Sequence, residues 1–176
     1  ISTSFQVANR KFGSEVDFTS LSTQTRYYTP AKSGVIAGSL RFGWNHPYGG
    51  TSRLPITERF FAGGSTTLRG FDQDRAGPEG GGNAMAILNA EYRFPTPIRR
   101  LKDLGAAVFY DTGNVFADLS SFNPGKFTHT AGGGLRYKTP LGPVRFDIGV
   151  NLRPQLLLDG KREQRLQYFF TLGHTF

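Results

Sequence analysis

Between Val144 and Arg153 the chain alternates without a break. Val144, Phe146, Ile148, Val150 and Leu152 fall on one side; Arg145, Asp147, Gly149, Asn151 and Arg153 fall on the other. Successive side chains of a β-strand point to opposite faces, so this pattern specifies a strand with one apolar and one polar face. The same period runs, with varying clarity, through residues 2–9, 17–29, 34–45, 83–94, 104–113, 128–138 and 166–176. Ala84, Ala86, Leu88, Ala90, Tyr92 and Phe94 oppose Asn83, Asn89, Glu91 and Arg93; Leu104, Ala106, Val108 and Tyr110 oppose Gly105, Ala107, Phe109 and Asp111. In the last strand Phe169 breaks the polar face. No stretch carries a helical period, so the expected fold is all-β and antiparallel, with about eight strands.

Strand length and connection length say where such a sheet lives. Strands of roughly 9–12 residues suit a tilted bilayer crossing. The turns at Pro30–Ser33 and Thr139–Pro143 are short, whereas the connections after Trp44, Gly113 and Leu152 are long. Short turns on one side and long loops on the other are the asymmetry of an outer-membrane barrel, with the long loops outside and both chain ends periplasmic. Trp44, Tyr92, Phe94, Tyr137 and Phe176 stand near strand ends, where interfacial aromatic girdles form. A soluble barrel or sandwich shares the alternation. Against it, Arg and Asp sit beside Gly on the polar face, as a wet lumen requires, and Phe176 ends the chain inside a strand. A transmembrane β-barrel domain over residues 1–176 is therefore the expectation, and the start inside an apparent strand suggests a mature or excised fragment. The mean hydropathy of -0.35 does not argue for a soluble protein, because alternation averages the apolar face away. On the clean strand, Arg at Ile148 is expected to be costly, and a polar residue at Gly149 milder.

The 176 residues contain no Cys, which removes disulfides and thiolate metal sites. A formal charge of +8 raises nucleic-acid binding as a class, but the basic residues spread over predicted lumen faces and loops instead of forming one stripe, so no nucleic-acid partner is expected. His46, His129 and His174 have no ligand spacing, and Gly63-Gly64-Ser65-Thr66 matches neither a nucleophile elbow nor a phosphate loop. No enzyme, cofactor or metal is expected.

The segment 46–82 interrupts the pattern. It is too long for an ordinary connection in a compact domain and too aromatic for disorder. Phe60, Phe61, Leu68 and Phe71 can anchor it, and Arg69 presents a planar fork of donors suited to a carboxylate. It should fold back onto the body of the protein, and alternation puts two candidate partners, Glu91 and Asp111, on the polar faces of neighbouring strands. A symmetric turn between those strands puts Asp111 opposite position 87, roughly 13 Å from Glu91, so one partner for Arg69 is the safer expectation. A structural ion pair is favoured over acid–base chemistry, since nothing nearby supplies a nucleophile or a metal.

Five ordered stretches resemble the barrel of the outer-membrane insertase superfamily that includes BamA and TamA. They are Phe60–Gly64 with Leu68-Arg69-Gly70-Phe71, Asn89–Pro95, Phe109–Val115, Gly132–Arg145, and Phe170–Phe176. Together they span residues from about 58 to 176. The resemblance implies the carboxy-terminal half of a sixteen-strand barrel in a bacterial or organellar outer membrane. It makes Leu68, Arg69, Gly70 and Phe71 the family's inward-folding loop motif, Glu91 and Asp111 its lumen carboxylates, and Phe170, Gly173 and Phe176 part of a carboxy-terminal sorting signal. It further implies assembly and insertion of client β-barrel proteins amid outer-membrane lipids, with assembly lipoproteins as further candidate partners. A two-partner secretion transporter passing an unfolded polypeptide is the alternative. Nothing in the chain resembles the periplasmic POTRA domains, and only about half the strands are present.

Overall fold

The computed structural model describes residues 1–96, 102–140, 142–154 and 163–173. Eight antiparallel strands follow one another in a single sheet: β1 (Ser2–Ala8), β2 (Phe18–Ala31), β3 (Gly34–Pro47), β4 (Ala84–Pro95), β5 (Leu104–Phe116), β6 (Thr128–Thr139), β7 (Gly142–Asn151) and β8 (Leu166–Leu172). Each strand pairs with its sequence neighbour, and the order ends at β1 and β8, which pair with no further strand among the described residues. The helical pieces among those residues are four single 3-10 turns.

Alternation becomes two faces with opposite surroundings. On the outer face Leu40, Leu88, Val108, Leu135, Phe146, Ile148, Tyr168 and Phe170 are exposed. On the inner face Asn89, Glu91, Asp111, Thr130, Arg145, Asp147 and Asn151 are buried. A soluble fold inverts that arrangement; a barrel wall in lipid requires it. Phe169 points inward opposite Asp147 and is partly buried. The strand at 144–153 starts two residues earlier and stops at Asn151, leaving Leu152 and Arg153 in the connection. β5 runs on to Phe116, three residues beyond the alternating stretch 104–113, because Val115 and Phe116 are buried under the loops above it.

The connections divide as expected. Residues 32–33, 96–103 and 140–141 join strands at one end; 9–17, 48–83, 117–127 and 152–165 join them at the other. Pro95 closes β4, while Pro97 lies outside the described residues.

Segment 48–83 lies on the inner face as a folded layer. Two isolated bridges, Phe60 with Gly82 and Ala62 with Ala76, close it on itself. Leu68, Phe71, Ala62 and Ala76 then pack against Ile87 of β4 and Val115 of β5. Ile87 occupies a position on the polar face of its strand, and there it serves the loop instead of the lumen. Complete burial of Leu68 and Phe71 contributes roughly 1.5–3 kcal/mol each.

Candidate functional site: a buried arginine on the sheet face

A tight turn presents Arg69. The Phe71 amide donates to the Leu68 carbonyl at 3.2 Å, and the Gly64 amide donates to the Phe71 carbonyl at 3.0 Å. The Thr67 hydroxyl accepts from the Gly63 amide at 2.9 Å and donates to its carbonyl at 2.7 Å. Leu68 and Phe71 therefore go into the apolar cluster while Arg69, between them, faces the charged part of the sheet.

The guanidinium meets two carboxylates. Its Nε and Nη2 donate to Asp111 Oδ2 and Oδ1 at 2.9 and 2.7 Å, the bidentate fork that Arg makes and Lys cannot. Nη1 donates to Glu91 Oε2 at 2.5 Å and lies 4.0 Å from Asp147 Oδ2. The Arg69 backbone amide adds a third bond to Asp111, at 3.2 Å. The Phe109 ring centroid lies 3.5 Å from the guanidinium carbon. Arg69 is 1 % exposed and Asp111 0 %. Burial opposes the charge on Arg69, but its hydrogen bonds and the charges of Asp111 and Glu91 outweigh that cost and hold its pKa above the ordinary value.

The expectation of a single partner is corrected by the register. Asp111 pairs with Asn89, not with position 87. Glu91 is then two residues along from the paired position, about 7 Å away, and one guanidinium spans that diagonal. The offset arises because Pro95 pairs with Gly105, two residues out of the register that strand limits of 94 and 104 imply.

Further residues complete the site. Asn89 donates to Asp111 at 2.9 Å and to the Thr67 carbonyl at 2.5 Å, tying strand to loop. Glu91 Oε1 accepts from Arg93 at 2.8 Å and Arg136 at 3.1 Å. Asp147 accepts from Arg136 at 2.5 Å and from Arg145 at 2.8 Å. Four guanidinium groups and three carboxylates thus cross-link β4, β5, β6 and β7 through the docked loop. Asp147 and Arg145 carried a sequence signal, charges on the polar face of the cleanest strand, but nothing in the pattern linked them to Arg69.

Gly149 carried no such signal, and the structure gives it a specific task. A β-carbon there would collide with the Arg69 carbonyl oxygen, and one at Gly70 would sit 2.7 Å from Thr130 Cγ2 and 2.8 Å from the Asn151 amide nitrogen. The two backbones cross in near contact because neither bears a side chain at the crossing. Gly149 is therefore no tolerant lumen position, contrary to the expectation of a mild substitution there.

Phe170 faces outward and is 72 % exposed, Gly173 follows the end of β8 with φ 102°, and Phe176 lies outside the described residues. Neither Phe170 nor Gly173 approaches Arg69 in the contacts described. His46 and His129 are far apart in the sheet, on β3 and β6; His129 accepts or shares hydrogen bonds with Tyr110 and Thr112 at 2.7 and 3.0 Å. His174 lies outside the described residues.

The Omp85 superfamily domain matches residues 1–176, the whole chain. The chain belongs to the Omp85 superfamily. Among relatives of this Omp85-superfamily chain, the outer membrane protein assembly factor BamA of Neisseria meningitidis serogroup B is 27% identical, covering 93% of this chain and 24% of its own length. A SAM50-like protein of Schizosaccharomyces pombe is 31% identical over 69% of this chain and 28% of its own length. The crystal structure of BamA from Haemophilus ducreyi lacking POTRA domains 1–3 superposes with a TM-score of 0.70 at 23% identity, covering 89% of this chain and 35% of that one. The fold is thus that of a transmembrane barrel wall of this superfamily. The chain spans about a quarter of the length of these curated relatives.

Proposed function

We propose that this chain is part of the membrane-embedded barrel of an outer-membrane protein assembly factor, which folds and inserts client β-barrel proteins in a bacterial or organellar outer membrane. The observation that carries the reading is the buried Arg69 dock, which joins loop 48–83 to four adjacent strands. A wall braced in this way keeps its curvature while the seam at which the full-length barrel closes pairs with a client strand. A free strand edge lowers the cost of ordering a client strand by offering its unpaired N–H and C=O groups in the right direction. Such assistance is non-covalent: it needs positioned backbone groups and a lipid-facing outer wall, and no nucleophile, metal or cofactor. Client β-barrel chains are the main partners, outer-membrane lipids surround the wall, and assembly lipoproteins bind parts of the full-length protein. Residues Phe170–Phe176 serve as the sorting signal by which the chain itself is recognised for assembly.

The test uses the full-length protein in lipid vesicles. An unfolded client barrel is added, and the rate at which it gains heat-modifiable gel mobility is followed. The protein should accelerate folding, Arg69→Ala should slow it, and photo-crosslinkers along the seam of the full-length barrel should capture client strands. Unchanged client folding together with an ion conductance blocked by an unfolded polypeptide would replace this reading by the secretion transporter.

A further inference from the structure

Every inward arginine bound into the dock has a carboxylate: Arg69, Arg93, Arg136 and Arg145 share Glu91, Asp111 and Asp147. Arg41 does not. It stands on the inner face of β3, paired across to Gln24 of β2 and Ile87 of β4. It is partly buried, and among the described residues it makes no hydrogen bond or ion pair. Asp111, the wall carboxylate whose charge reaches Arg41, is already held by Arg69. An arginine that has given up part of its hydration and found no anion leaves an unmet demand for one.

Its surroundings describe the anion. Arg41 lines a cleft of about 230 Å³ with Ser2, Ser4, Ser22, Gln24 and Met85. The cleft crosses the inner face from β1 to β4, three strand spacings or roughly 14 Å. At its far side lies Ile87, already covered by Leu68 and Phe71 of the docked loop. Its near side is β1. Hydroxyl donors beside one guanidinium suit a carboxylate, and the Met85 end suits an apolar neighbour. Arg26 is exposed and donates to Gln24 Oε1 at 3.0 Å, and its charge also reaches Arg41. One partly buried guanidinium in a long, partly apolar trough, with the neighbouring Arg26 engaged by Gln24, matches an acidic residue within an extended chain better than a compact polyanion, which needs several converging donors.

We propose that Arg41, with the hydroxyls of Ser4 and Ser22, forms a carboxylate-binding site on the lumenal wall for an acidic residue of an extended polypeptide segment lying between the docked loop and β1. This rests on the assembly reading only in taking that segment to be part of a client chain.

The experiment uses the full-length protein in lipid nanodiscs and two fluorescein-labelled peptides, one alternating Glu with Ser and one alternating Gln with Ser, read by anisotropy at low salt. The Glu peptide should bind, weaken about tenfold on Arg41→Gln from loss of one charge-assisted contact, and weaken again as salt is raised. The Gln peptide should bind poorly to both proteins. Arg41→Lys should recover part of the affinity. Heat-modifiable mobility checks that each variant is folded. If Arg41→Gln fails that check, a photo-crosslinker at Gln24 in otherwise unaltered protein decides, and it should capture the Glu peptide in preference to the Gln peptide. Equal binding or capture of the two peptides overturns the site, as does displacement of the Glu peptide by sulfate at the peptide's own concentration, which would reduce it to a simple anion site. Client folding by the same wild-type preparation is measured in parallel. Loss of that activity with intact peptide selectivity rejects the assembly reading alone, and the converse rejects this site alone.

Discussion

Replacing Arg69 by Ala removes two side-chain bonds to Asp111 and one to Glu91. The two carboxylates are not left in the same condition. Glu91 keeps Arg93 and Arg136. Asp111 keeps Asn89 at 2.9 Å, Thr130 at 3.4 Å and, with the loop docked, the residue 69 amide at 3.2 Å, none of them charged. Asp111 is therefore the group stranded in a buried place, and breaking a buried pair in this way costs about 3–5 kcal/mol. A double-mutant cycle separates the partners. Contacting residues couple by about 0.5–3 kcal/mol; the 69–111 pair belongs at the upper end, and the 69–91 pair, with its remaining arginines, at the lower. Asp111→Ala and Arg69→Ala should each destabilise strongly, and the double variant should be little worse than either. Lys at position 69 should rescue poorly, since it cannot make the fork to Asp111. Urea unfolding in lipid vesicles, followed by heat-modifiable gel mobility, measures all four corners of each cycle. Additive effects of 69 and 111, or a coupling to 91 as large as that to 111, would refute the assignment of the fork as the principal link.

Gly149→Ala should release the loop as effectively as loss of the arginine, because a β-carbon meets the Arg69 carbonyl; trypsin cleavage at Arg59 or Arg75 should appear in the folded variant and not in the parent. Leu68→Ala should cost about 2–5 kcal/mol in the same urea assay, as expected for a fully buried Leu whose neighbours are held by the sheet. On the opposite face, Ile148→Arg should cost about 2–4 kcal/mol if it sits near the bilayer midplane. Spin labels at 146 and 148 should report lipid and one at 147 should not; the reverse would invert the assignment of faces.

The two-faced wall could be read directly from the chain. Alternation is a local property, and Val144 through Asn151 has one set of faces in any antiparallel sheet, so the lipid side and the charged side follow from residue order. The loop was legible for a similar reason: its glycines and aromatic anchors mark a folded segment, and Arg69 stands out between Leu68 and Phe71. What joins these pieces depends on register and on approach in space. Two residues of offset in the pairing of β4 with β5 turn Asp111 and Glu91 from alternatives into a joint site, and no local pattern sets that offset. Asp147 and Arg136 enter the network through strands far along the chain, so their charges were visible and their partners were not. Gly149 shows the same limit most plainly. Along its own strand it is an unremarkable small residue on a polar face, and only the passage of the Arg69 backbone directly above it makes the missing side chain a requirement.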